Sequence, residues 1–209
     1  MKNLTIIDHP LVKRDLTLLR DKRTPSNIFR AVLRRTASLM AYEVTRDLRL
    51  KETAVTTPLE RTRGAIVDEK FILVPILRAG LGLVGGFVEV IPDARVGHIG
   101  LYRNEETLSP VDYYLKLPRK LGRSLVYILD PMLATGGSAV AAVSVLKAKG
   151  ARNIRFVSLV AAPEGVRRLT KHHPEVRIYT CALDRRLNAR GYILPGLGDA
   201  GDRMFGTAE

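Results

Sequence analysis

The sequence predicts an α/β fold: a mostly parallel central sheet with helices on both faces. Two observations carry this prediction. From residue 71 onward an apolar run, a glycine-containing turn and a longer apolar-periodic segment follow one another twice, as Phe71 to Ile76 then 79–91, and as Leu125 to Leu129 then 137–149. A third run, Ile154 to Ala162, precedes a helix opening near Pro163, and Val176 to Cys181 supplies another strand. Such runs are apolar at every position rather than alternating, the pattern of strands covered on both faces. The length of 209 residues, with 46% hydrophobic and 26% charged content, suits one domain over 1–209 and excludes a disordered or fibrous chain.

Taken in order, the elements begin with an N-terminal helical segment over about 10–50. Within it, Ser26 is placed to cap a helix over 26–50 whose apolar side is Ile28, Phe29, Val32, Leu33, Leu39, Met40, Val44 and Leu48. Its other side carries Arg30, Arg34, Arg35, Arg46 and Arg49, read as a solvated face in preference to a nucleic-acid stripe because no aromatic ladder accompanies it. Residues 103–118 are polar and bounded by prolines, with a strand-like segment at Pro110 to Lys116, and read as a hairpin arm or flap. The tail over 188–209 is too glycine-rich for a regular element and too apolar to hang free, so it reads as an irregular hood held by something else.

Composition narrows the chemistry. A single cysteine, Cys181, excludes a disulfide framework and a cysteine-based zinc cage, and His9, His98, His172 and His173 lack ligand spacing, so a metal caged by protein side chains is not expected. The formal net charge of +13 points to an anionic partner without choosing which. Phe71 to Ile91 and Ser124 to Leu146 are apolar enough to mimic membrane spans, but Arg78 and Asp130 near their middles would each cost roughly 3 kcal/mol in a bilayer. With no hydrophobic core and cleavage pattern of a secretory signal at the N-terminus, a cytoplasmic location without a membrane partner is expected.

The most informative segment is Val126 to Ala139, VYILDPMLATGGSA. A strand ends at Asp130, and Thr135, Gly136, Gly137 and Ser138 lead directly into a helix. Amides at a helix start are unpaired and carry positive partial charge, so a phosphate seated there collects several charge-assisted hydrogen bonds. No lysine follows the glycines, so this is not the nucleoside-triphosphatase loop. An ordinary glycine-rich turn with a serine cap explains the same residues equally well until Asp130 is weighed. A carboxylate at a central strand's carboxyl end sits where open α/β sheets bind ligands, and it is suited to receive ribose hydroxyls. Arg78, inside an apolar run, is likewise expected to be buried and to need an anion.

These residues carry a resemblance. PILRAGLG (75–82), RNEETLSPVDYY (103–114), LDPMLATGGS (129–138) and GYILPGLGDAGDRMFGT (191–207), in this order and spacing, are similar to the uracil phosphoribosyltransferases of the type I phosphoribosyltransferase superfamily. The resemblance implies pyrimidine salvage: transfer of the phosphoribosyl group of phosphoribosyl diphosphate (PRPP) to N1 of uracil, giving UMP and diphosphate. It implies catalytic roles for Asp130, Arg78 and Arg103. It also implies PRPP contacts from those three and from Pro131, Met132, Leu133, Ala134, Thr135, Gly136, Gly137, Ser138 and Asp199, and uracil contacts from Ile193, Gly198, Asp199 and Ala200. Magnesium is implied as a cofactor held mainly by substrate and water. A homo-oligomer is expected as well, with GTP as an effector in some relatives. Tyr192 is read as packing against the tail, and Glu105, Glu106 and Asp112 as solvated. Gly85 departs from the family, which often has an acid at that position.

Two other readings compete. Gly80, Gly82 and Gly85 spell G-x-G-x-x-G after a strand, with Glu105 near the position of a ribose-binding acid, the outline of a dinucleotide-binding oxidoreductase. That reading leaves Arg78 and residues 130–138 unexplained. The high charge also suits an RNA-binding, pyrimidine-responsive regulator of the same superfamily, a partner class against which the tail argues; no nucleic acid is therefore expected.

Overall fold

The structure is a computed structural model and describes residues 3–103 and 110–207. In chain order, β1 (Leu4–Ile6), α1 (Pro10–Arg20) and α2 (Ser26–Val44) precede a hairpin of β2 (Leu50–Thr56) and β3 (Arg61–Val67). Then come β4 (Phe71–Leu77), α3 (Leu81–Val90), β5 (Arg95–Val96), β6 (His98–Arg103) and β7 (Pro110–Lys116). The second half contains β8 (Leu125–Leu129), β9 (Met132–Leu133), α4 (Gly137–Ala148), β10 (Asn153–Ala161), α5 (Pro163–His172) and β11 (Arg177–Leu183). The tail adds β12 (Arg186–Leu187), β13 (Ile193–Leu194) and α6 (Ala200–Phe205).

The main sheet has the order β1-β11-β10-β8-β4-β6-β7 among the described residues, parallel throughout except for the antiparallel edge strand β7. Alternate side chains of the central strands divide between two cores. Leu73, Tyr127, Leu129 and Val157 face α1, α2 and α3, whereas Val74, Val126, Ile128 and Phe156 face α4 and α5. A strand buried on both faces must be apolar at every position, which is why these runs stood out in the sequence.

From β4 the chain moves toward β6 on one side, and from β8 toward β10 on the other. Their carboxyl ends therefore flank a topological switch point, where the outgoing loops diverge and leave a crevice. The sheet thus places the loops after Leu77 and Leu129 side by side.

Several expectations are corrected. Ser26 is the first residue of α2 rather than its cap, which is Pro25, and the helix ends at Val44 instead of continuing to 50. The Val44 carbonyl accepts from buried Arg155 at 2.6 Å and from the Tyr127 hydroxyl at 3.3 Å, and the chain turns into β2. The arginine face is exposed but not simply solvated: Arg35 reaches Asp15 at 2.7 Å, Arg30 donates to the Met204 carbonyl at 2.8 Å, and Arg34 pairs with Glu89, tying α2 to α1, α6 and α3. The strand-like segment read at Pro110 to Lys116 is β7 with those bounds, paired antiparallel with β6 in a hairpin at the edge of the main sheet, while residues 104–109 lie outside the described residues. A further hairpin, β2 with β3, was not expected and forms its own two-stranded sheet among the described residues. The tail, read as irregular, contains α6, which begins at the Asp199 cap and stops at Gly206 with φ +71°.

Candidate active site

β8 lies beside β4 with Pro75 opposite Leu129, so Asp130 emerges next to the turn that bears Arg78. Asp130 is half-buried, its amide donates to the Val157 carbonyl at 3.1 Å, and its carboxylate accepts from the Met132 amide at 3.3 Å. Loss of hydration pushes its pKa up to about 7; the Met132 hydrogen bond opposes the rise and the Asp199 carboxylate adds to it.

The loop beyond it is pinned from below. The buried Pro131 carbonyl accepts from the Leu159 and Val160 amides at 3.0 and 3.1 Å, and the Leu133 carbonyl from Ala162 at 2.9 Å. Gly136 then takes φ +78°, and a Cβ there would lie 2.8 Å from the Gly165 carbonyl oxygen, so both the turn and the close approach require glycine. The first bond of α4 runs from the Val140 amide to the Gly136 carbonyl at 3.0 Å. The amides of residues 137–139 accordingly have no acceptor within the helix. Asp130, Met132, Leu133, Ala134, Thr135, Gly136, Gly137, Ser138 and Ala139 line a cavity of about 80 Å³. Thr135 Oγ1 accepts from the Gly137 amide at 3.4 Å, and Ser138 is exposed.

Arg78 departs from expectation. Its side chain is 57% exposed rather than buried in the apolar run, and it pairs with Asp202 at 3.1 Å and lies over the Phe205 ring at 5.7 Å. β4 ends at Leu77 and the chain folds back so tightly that a Cβ on Gly80 would sit 2.3 Å from the Leu129 carbonyl oxygen. This turn brings residue 78 to the rim of the crevice; the Leu77–Arg78 peptide is cis. The charge is therefore placed at an open mouth, held by a carboxylate that sequence reading did not identify. The Arg103 side chain lies outside the described residues, as do Glu105, Glu106 and the Asp112 side chain.

The tail closes the third side. Ile193 and Ala200 are buried, while Gly198, with φ +78°, and Asp199 are exposed. Asp199 caps α6 by accepting from the Asp202 amide at 2.9 Å. A Cβ on Gly191 would lie 3.5 Å from Thr135 Cγ2, so the turn of the tail stands beside the loop that opens α4. Tyr192 is 49% exposed, in conflict with a purely packed role.

The residues holding this tail escaped sequence reading. Arg20 at the end of α1 forms a bidentate pair with buried Asp184, at 2.8 and 2.6 Å. Gly196 is gripped between them, its amide donating to Asp184 Oδ2 at 2.9 Å and its carbonyl accepting from Arg20 at 2.7 Å. Arg203 donates to the carbonyls of Leu197 at 2.9 Å and Asp21 at 2.6 Å, and to that of Leu19. These partners are separated in sequence by up to 184 residues, with no motif to connect them.

The glycines of the dinucleotide reading are occupied otherwise. Gly80 packs on the end of β8, and a Cβ on Gly82 would lie 2.4 Å from Leu33 and Met204 side-chain atoms. A Cβ on Gly85 would lie 3.5 Å from Arg34 Nε, an ordinary contact, so the family's acid would fit beside that guanidinium. Among the described residues no group of three or more His, Cys, Asp or Glu side chains could hold a metal, and no helix is long and apolar enough to cross a membrane.

Comparison with known proteins matches this geometry. A family model for uracil phosphoribosyltransferase matches residues 6–207. The uracil phosphoribosyltransferase of Polaromonas naphthalenivorans is 58% identical over 208 residues, covering 99% of this chain and 100% of the relative. That of Salinibacter ruber is 54% identical over the full length of both chains. Among solved structures, a protein of Aquifex aeolicus superposes with a TM-score of 0.93 at 39% identity, covering 98% of this chain and 99% of that one. A hypoxanthine-guanine phosphoribosyltransferase of Bacillus anthracis shares the fold, with a TM-score of 0.52 at 12% identity over 75% of this chain and 79% of that one. With fold, crevice and near-complete sequence matches in agreement, the chain belongs to the uracil phosphoribosyltransferase family.

Proposed function

We propose that the chain catalyses its family's pyrimidine-salvage reaction in the crevice between the ends of β4 and β8. The bond between C1 of ribose and the diphosphate oxygen breaks, N1 of uracil bonds to C1, and UMP and diphosphate leave. The observation that carries this reading is the meeting of an amide-lined cup, an acid and a cation at one topological switch point, with the tail across from them.

In this reading the amides of residues 135–138 receive the 5′-phosphate, and the glycines admit it closely. Pro131, Met132, Leu133 and Ala134 shape the floor, and Asp130 accepts from the ribose hydroxyls. Arg78 turns from Asp202 to the diphosphate, which gains charge as its bond to C1 breaks. A cation aimed there stabilises the transition state more than the bound substrate. Arg103 is assigned the same diphosphate by family resemblance. Ile193, Gly198 and Ala200 present backbone groups to uracil, and Asp199 stands between base and ribose. Cytosine reverses the donor and acceptor at positions 3 and 4, so it would leave rigid backbone groups unpaired at about 1–3 kcal/mol each.

Magnesium would keep water and substrate oxygens as most of its ligands, with Asp130 and Asp199, close enough to interact electrostatically, as the nearby carboxylates. When bound with PRPP it neutralises charge on the diphosphate. The expected cytoplasmic location, a homo-oligomeric state and activation by GTP belong to the same reading. The test is incubation with PRPP, magnesium and each nucleobase in turn: UMP should form with uracil, and no nucleotide with cytosine, adenine or guanine. Absence of UMP, or equal turnover of cytosine, would overturn the proposal.

A further inference from the structure

The base-binding loop has few contacts of its own to fix it. Between Ile193 and Ala200 stand Pro195, Gly196, Leu197 and Gly198, and β13 pairs only with the two-residue β12. Backbone groups that must distinguish uracil from cytosine have to be held to within a fraction of an ångström. The rigidity must come from outside the loop.

Beyond the burial of Ile193, Leu197 and Ala200 in the core, the loop's polar anchoring comes from the C-terminal end of α1. Arg20 and Asp184 form a two-pronged pair whose side chains are 23% and 6% exposed, and the pair grips both the amide and the carbonyl of Gly196. A Cβ on Gly196 would lie 2.2 Å from the Ile193 carbonyl oxygen, so the gripped residue also sets the backbone of Ile193. Arg203, stacked at 4.6 Å over the Phe29 ring, joins the next carbonyl, Leu197, to those of Leu19 and Asp21. Two guanidinium forks thus fasten consecutive residues of the loop, Gly196 and Leu197, to the last two residues of α1 and its C-cap Asp21. No contact of this set reaches the 130–138 cup.

We infer that the Arg20–Asp184 pair is a positioning device for the nucleobase loop, setting uracil affinity and selectivity against other pyrimidines while leaving the phosphate and diphosphate sites alone. The inference rests on the proposed function for its kinetic consequence, but not for its structural one. Arg20→Lys keeps the charge and loses the planar fork, and Asp184→Asn keeps the shape and loses the charge. Either change loosens the grip on Gly196 without altering a group that touches substrate.

The experiment measures steady-state kinetics of wild type, Arg20→Lys and Asp184→Asn with each substrate varied, together with amide hydrogen exchange of the same proteins. The expected result is a rise of about tenfold in KM for uracil, weaker discrimination against cytosine, and KM for PRPP within about twofold of wild type. Exchange should quicken over 193–200 in both variants and stay unchanged over 126–139. Equal losses for both substrates, or an unchanged KM for uracil with unchanged exchange over 193–200, would overturn the inference. If wild type itself forms no UMP, the functional reading fails and the exchange pattern alone decides the clamp. Should Asp184→Asn not fold, Arg20→Lys is decisive by the same two readouts.

Discussion

Asp130 joins the chemistry of the site to the stability of the fold. Its carboxyl titrates near 7 in the folded protein, against an ordinary value of 3.8, because it loses hydration beside Asp199. The folded state therefore holds more protons than the unfolded chain between these values, and the free protein loses stability as pH rises through that window. Asp130→Asn removes the penalty: thermal unfolding should show the variant more stable than wild type at pH 8, with the difference vanishing near pH 3. Function responds in the opposite direction. If Asp130 accepts the ribose hydroxyls as proposed, it must be ionised to do so, and kcat/KM for PRPP should fall below about pH 7 in wild type. In Asp130→Asn transfer should fall about 100-fold and that limb should vanish. A wild-type pH profile in the variant would remove Asp130 from the mechanism. Sequence position was enough to single out this residue, since an acid at the tip of an apolar strand is conspicuous. Arg78 was conspicuous for the same reason, yet its burial was misjudged, because an apolar run does not show where a strand stops and its turn reaches the rim.

At the scale of the element, the loop between β8 and α4 depends on Gly136 in a left-handed conformation against Gly165. Gly136→Ala must open that contact or leave the left-handed region, moving the first amides of α4. We expect a loss of about 1–3 kcal/mol in denaturant unfolding and a rise of at least tenfold in KM for PRPP. An unchanged KM would mean that the cup does not grip the phosphate. This loop was legible because strand, glycines and helix follow without interruption, so local rules decide its shape. The end of α2 was not legible. Its last carbonyl is satisfied by Arg155 and Tyr127, more than 80 residues away, and an arginine on β10 gives no local signal of the helix it caps. The clamp at Gly196 escaped for the same reason, whereas the glycines of the tail announced that something had to hold it.

For the whole molecule, the alternation of strands and helices revealed the class of the fold, because it follows from periodicity; the strand order, and with it the switch point between β4 and β8, came only from the structure. The hairpin of β2 and β3 did not follow from that alternation. Its strands are exposed along almost their whole length, with Leu50, Val55, Ile66 and Val67 open and Leu59 at the turn 95% exposed. A two-stranded ribbon is marginal alone in water, and such apolar exposure suits contact with another copy of the chain. Sedimentation equilibrium should accordingly find a dimer or larger assembly, and a monomer on shortening the hairpin between 52 and 65; a monomeric wild type would contradict this. The central claim is that one crevice takes a sugar phosphate on the start of α4 and a nucleobase on the tail. A crystal structure of the UMP complex tests it most directly. The phosphate is expected on the amides of residues 135–138, the ribose hydroxyls on Asp130 and the uracil edge on the backbone between Ile193 and Ala200. UMP bound with its phosphate away from that cup would contradict it.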